Sequence, residues 1–146
     1  MKRLSLLSLI VVLVLTACAS GARRHDDGFA GSDKLARYQP YVSEPVSQFN
    51  MYSSFDGWSD VDNEHVIIHT NVNESYLLTV APVCLNLPFA TRIGVVSRFP
   101  NTVSSGFDSI RVGRETCRIL EIRPVNYKKM QADLRAEKKL KAASKG

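Results

Sequence analysis

The stretch DSIRVGRETCRI, residues 108–119, constrains the fold more than any other part of the chain. Apolar and polar residues alternate on both sides of Gly113-Arg114, and a period of two marks strands with one buried face. A glycine able to take positive φ as the first central residue suits a two-residue type II′ turn, whose twist matches that of the flanking strands. The turn sets the register, with Val112 opposite Glu115 and Ile110 opposite Cys117. One face then carries Ile110, Val112, Cys117 and Ile119, and the other carries Ser109, Arg111, Thr116 and Arg118. At Ile119-Leu120 the alternation breaks and Ile122 follows the parity of Leu120. This predicts a bulge, or a strand buried on both faces. An isolated hairpin is marginal in water, so the rest of the chain must supply more strands.

Residues 46–127 supply them. GWSDV and EHVIIHT flank the turn-favouring pair Asp62-Asn63, HVIIHT and SYLLTVA flank residues 71–74, and RIGVVSRF, DSIRV and TCRILEIRPV follow. The expected fold is mainly β, a small antiparallel meander forming a barrel or sandwich of five to seven strands, plus a C-terminal helix. CLNLPFA, interrupted by Pro88, reads as a loop or a single turn. Beyond Pro124, Tyr127, Met130 and Leu134 lie at helical spacing behind Asn126, a good N-cap. Residues 128–146 therefore read as a basic helix or tail that docks by its first turns and frays at its Lys-rich end.

The N-terminus fixes the compartment. Lys2 and Arg3 precede an apolar run over residues 4–15 broken only by Ser5 and Ser8, which has secretory-signal architecture. About 20 apolar residues are needed to span a bilayer as a helix, and this run is shorter. Leu15, Thr16, Ala17 and Cys18 resemble the bacterial lipobox. The resemblance implies cleavage of residues 1–17, lipidation of Cys18 and acylation of the new amine; an ordinary signal peptide with a chance cysteine is the alternative. Ala19 in place of Asp resembles the outer-membrane sorting class, so the expected location is the outer membrane, facing the periplasm. Residues 18–45 mix Gly, Ser, Pro and both charge signs without evident apolar period, and are read as a flexible tether.

With Cys18 assigned to lipid, Cys84 and Cys117 remain. In an oxidising compartment such a pair reads as a disulfide, two buried free thiols being the alternative. Closing a loop of 33 residues stabilises by roughly 3–4 kcal/mol in the chain-entropy treatment.

The chain has a formal net charge of +5. Residues 128–146 hold seven Lys+Arg and two acids, so with the leader removed residues 18–127 are slightly acidic, at ten against twelve. The body of the domain carries no electrostatic footprint for nucleic acid. Within it the charges segregate. Residues 46–90 contain five acids and no Lys or Arg, whereas residues 91–127 contain six Arg against three acids. Arginine suits planar, bidentate contact with carboxylate or phosphate. Arg111, Arg118 and Arg123 are the candidate anion-binding residues; the alternative is that the acidic strands of residues 56–74 neutralise them within the fold.

Trp58, SYLL, Cys84 followed by LNLPFATRIGVVSR, and SSGFDSIRVGRETCRILEIRPV resemble a family of small proteobacterial lipoproteins catalogued as a domain of unknown function, over about residues 46–126. The resemblance implies that Cys84, Cys117 and the IRPV segment belong to one domain with a lipobox as regular companion, and it transfers no catalytic residue.

Other motifs fail on geometry. HVIIH has the spacing of a helical metal site, but its β-branched interior favours a strand, where four residues span about 13 Å, too far for two imidazoles to share a zinc. TVSSGF lacks the glycine two positions before the serine of a hydrolase elbow. No metal, cofactor or catalytic residue is expected. The leading expectation is a lipid-anchored, non-enzymatic envelope module that binds an anionic envelope component or an acidic protein. The runner-up is a small periplasmic hydrolase joining His65 or His69 to an acid and a hydroxyl.

Overall fold

The computed structural model of the protein describes residues 29–52 and 54–144. The expected signal peptide, Cys18 and the start of the expected tether lie outside the described residues. Helix α1 (Phe29–Tyr38) and a 3₁₀ turn at Gln39–Tyr41 come first. The strands follow as β1 (Gln48–Asn50), β2 (Gly57–Asp60), β3 (His65–His69), β4 (Ser75–Val80), β5 (Ile93–Val96), β6 (Thr102–Ser104), β7 (Ser109–Val112) and β8 (Glu115–Val125). A 3₁₀ turn at Leu87–Phe89 stands between β4 and β5, and α2 (Tyr127–Ala143) follows the last strand.

Six strands form one antiparallel sheet in the order β2-β3-β4-β8-β7-β5, curved into a half-barrel, while β1 and β6 pair as a separate ribbon. The protein is thus mainly β and antiparallel with a C-terminal helix, but the described residues form eight strands rather than five to seven. The unexpected pair, β1 and β6, has three residues in each strand, too few to display a period.

The central hairpin has the expected register, with Val112 opposite Glu115, Ile110 opposite Cys117 and Ser109 opposite Arg118. Gly113 has φ 58°, and Arg114 stays outside the positive-φ region, which selects type II′ over type I′. The break in alternation is a bulge. Val80 pairs with Ile119 and Thr79 with Glu121, so Leu120 is the extra residue. Its insertion returns Ile122 to the face of Cys117 and Ile119, and leaves Leu120 exposed.

The concave face of the half-barrel holds the main core. Val66, Ile68, Leu78, Val80, Ile110, Val112, Cys117, Ile119 and Ile122 pack there, with Phe49 of β1 and Val103 of β6. Each large apolar side chain buried in this way contributes about 1.5–3 kcal/mol. Phe49 stacks on Tyr76 with ring centroids 4.3 Å apart. Cys84 is disulfide-bonded to Cys117 across a Cα separation of 5.4 Å, and together with buried Leu87 it fastens the loop after β4 onto β8. Asp108 is buried at the mouth of the hairpin, and its carboxylate accepts the backbone N–H groups of Arg98 (3.0 Å) and Ser104 (2.7 Å). Each of its oxygens thereby has a hydrogen-bond partner, as a buried polar group requires.

A second cluster forms on the convex face, where Val61, Ile67, Leu77 and Val125 pack against Leu35, Tyr38, Tyr41, Val42 and Tyr127. This corrects the reading of residues 18–45 as unstructured tether over its later part. Leu35 and Tyr38 belong to α1, and two apolar positions are too few to display a helical period; Val42 follows the 3₁₀ turn in extended conformation and bridges Val125. Ser43 N–H donates to Pro124 O (2.9 Å) and Val46 N–H to Ile122 O (2.8 Å), so this segment runs along the free side of β8. Helix α2 is capped by Asn126, whose side-chain oxygen accepts the Lys129 N–H at 3.0 Å. Met130 is its buried anchor. The Lys-rich end, expected to fray, is helical to Ala143, with an i, i+4 pair between Lys141 and Glu137.

Candidate anion-binding site

The arginines of the C-terminal half divide into two groups. Arg111 projects from the convex face of β7, and its cross-strand neighbour on β5 is Gly94. A Cβ at Gly94 would meet nothing within 4 Å, so the sheet has a bare floor beside the Arg111 side chain. Arg92, just before β5, and Arg114, in the hairpin turn, come to the same end of the sheet. The three guanidinium-bearing side chains, together with Phe89 and Asn86, line an open cleft of about 740 Å³. Among the described residues, no acid lines it and no carboxylate forms an ion pair with Arg92, Arg111 or Arg114. The nearest acid along the chain, Glu115, accepts the Asn86 N–H at 3.0 Å and so holds one wall of the cleft in place.

Arg118 and Arg123 are placed differently. Arg118 is exposed on the same convex face, opposite Ser109, but does not line the cleft. Arg123 is already matched. Its Nε lies 2.6 Å from Glu121 Oε1, a bond that raises its proton affinity, and it also donates to Ser43 O. Of the three arginines singled out in the sequence, only Arg111 is at the cleft. Arg92 and Arg114 complete the set, and they escaped notice because a turn residue and a pre-strand residue have no face until the strands pair. Nor do the acidic strands neutralise this end. Asp60 pairs with Lys34, Asp62 with His65, and Glu74 accepts from Asn71, all around β2 and β3 at the opposite side of the sheet.

His65 and His69 occupy the two ends of β3, as same-face residues of a strand rather than a shared metal site. His65 Nδ1 is 2.7 Å from Asp62 Oδ1. His69 lies between Ser59 and Ser75, with Nε2 3.1 Å and Nδ1 2.8 Å from the two hydroxyls, and its ring tilts against Tyr127 at 4.5 Å. Burial holds its pKa below the usual 6.5. The pieces of a hydrolytic triad are therefore split, the carboxylate being with one histidine and the hydroxyls with the other. Ser104 and Ser105 serve the loop before β7, where the Ser105 hydroxyl donates to Ser47 O at 3.2 Å. Among the described residues, the one grouping with metal-ligand proximity is Cys84, Glu115 and Cys117, and its sulfurs are bonded to each other. No helix among the described residues is long and apolar enough to cross a membrane.

Fold and site together define a small disulfide-held antiparallel β domain with a basic cleft beside its central hairpin. The chain belongs to a family of unknown function (DUF6491), whose profile matches residues 1–141. No curated protein and no solved structure matches it.

Proposed function

We propose that the protein is a lipid-anchored component of the cell envelope, acting as a non-enzymatic binding module through the Arg92–Arg111–Arg114 cleft. The observation that carries this reading is the convergence of three arginines on one cleft where, among the described residues, no carboxylate pairs with them and no acid lines the wall. Like charges lining one cleft repel one another, and an anion between them makes the arrangement favourable. The ligand is an anionic envelope component, either a phosphate or carboxylate group or an acidic protein surface. Anchoring follows from the lipobox-like Leu15-Thr16-Ala17-Cys18, which falls within the residues matched by the family profile. Acyl chains on Cys18 and its amine would hold the domain on the outer membrane, facing the periplasm, since stable anchoring needs more than one chain.

Two measurements test the reading. Cys18→Ser should release the protein from membranes into a soluble fraction. Replacing Arg92, Arg111 and Arg114 with Ala should remove salt-dependent binding to envelope fractions while leaving the unfolding midpoint within about 0.5 kcal/mol, the usual range for surface substitutions. Gly94→Glu is a sharper variant, because it sets a carboxylate beside Arg111 in space that is empty. Binding unchanged in all three-arginine and Gly94 variants would remove the cleft from the account.

A further inference from the structure

One wall of the cleft is the exposed ring of Phe89, and the loop that carries it has further exposed apolar residues that an anion alone does not explain. The loop joining β4 to β5 buries Leu87 completely, yet leaves Val83 75 %, Leu85 73 % and Phe89 81 % exposed. Large side chains this exposed, grouped on one short loop, mark a surface that meets an apolar partner. The loop is held in this presentation by the Cys84–Cys117 disulfide and by the bond from Asn86 N–H to Glu115. Residues 81–94 contain no acid, and Phe89 forms the cleft wall beside Arg92, Arg111 and Arg114. Exposed apolar side chains on a disulfide-fastened loop, with Phe89 beside three arginines, match the two layers of an anionic bilayer surface, hydrocarbon beneath phosphate.

We infer that the Val83–Leu85–Phe89 loop and the Arg92–Arg111–Arg114 cleft together dock the domain on an anionic phospholipid surface, the arginines taking lipid phosphates while Phe89 enters the interface. The inference rests on the proposed anion-binding role of the cleft and names its ligand. An anchor at Cys18 strengthens it. Phe29, the start of α1, is eleven positions after Cys18, a span of at most about 40 Å, so a tethered domain meets the bilayer at high effective concentration and weak docking is enough.

The test uses the full chain with Phe89→Trp as a fluorescent reporter against the partly buried Trp58, since the leader can hold the chain on any vesicle while the reporter sees only the loop. With phosphatidylglycerol-containing vesicles the reporter's emission should shift to shorter wavelength, and with phosphatidylcholine alone it should not. Adding Arg111→Ala should weaken the response about fivefold, the share of one basic residue at such a surface, and half-molar salt should reverse it. No shift on anionic vesicles, or an equal shift on both kinds, overturns the docking. Glycerol phosphate protecting the cleft without any loop insertion would overturn docking and leave the anion-binding reading standing. Failure of both phosphate and vesicles to engage the arginines would remove both.

Discussion

The convex face of the sheet has two halves with opposite treatment. Over β2, β3 and β4 it is covered, since Ile67 and Leu77 point outward there and α1, the 3₁₀ turn after it and Tyr127 pack upon them. Over β5 and β7 it is bare, because the outward positions are Gly94, Val96, Ser109 and Arg111, joined by Thr116 and Arg118 of β8. The same strand geometry thus yields a third layer on one side and an open cleft on the other. The deciding factor is the outward side chain, since apolar area removed from water drives a helix onto the sheet and guanidinium groups do not.

The contrast can be broken most directly by truncation. Ile67→Ala should destabilise by about 2–5 kcal/mol in urea unfolding, since Ile67 is fully buried beneath the helical layer, whereas Arg118→Ala should stay within about 0.5 kcal/mol. Equal losses would mean that the covered layer adds nothing to stability. Next in size is the disulfide. The Cys84→Ser, Cys117→Ser double variant should lose roughly 3–4 kcal/mol, the chain-entropy value for a loop of this length. Calorimetry showing an unchanged midpoint would make the bridge dispensable to the fold.

A smaller effect separates the halves by pH. Burial lowers the proton affinity of His69 beneath Tyr127, so between its folded pKa and the ordinary 6.5 the unfolded chain holds more protons than the folded one. Stability is full above about 6.5 and is lost as pH falls from there through the folded value. Urea midpoints between pH 7.5 and 5 should therefore slope downward in the parent and less so in His69→Gln; identical slopes would remove His69 as the cause. The smallest change is expected on the bare half. Gly94→Ala adds a Cβ that touches nothing and restricts the unfolded chain, so it should be neutral or stabilising by under about 1 kcal/mol. A loss there would show that the cleft floor is packed after all.

Much of this was legible from the chain alone. The hairpin register, the type II′ turn, the break in alternation at Ile119-Leu120 and the Asn126 cap follow from short-range rules of period, turn chemistry and capping, and the Cys84–Cys117 bridge from the count of cysteines and the expected oxidising compartment. The helix α1 was not, because Leu35 and Tyr38 are too few to show a period in a segment otherwise composed like a linker, and only the outward Ile67 and Leu77 make it worth burying. The β1–β6 ribbon was missed for the same reason, being held by Phe49 and Val103 entering a core that other strands build.

What the sequence by itself determined was local: which residues alternate, where the chain turns, which cysteines remain to pair, and that arginine is concentrated after residue 91. Which arginines act together was decided only by the tertiary structure. Arg92, Arg111 and Arg114 meet because β5 pairs with β7 at the edge of the sheet, while Glu121 and Ser43 claim Arg123. Pairing between distant strands sets those distances, and no periodicity within one strand encodes them.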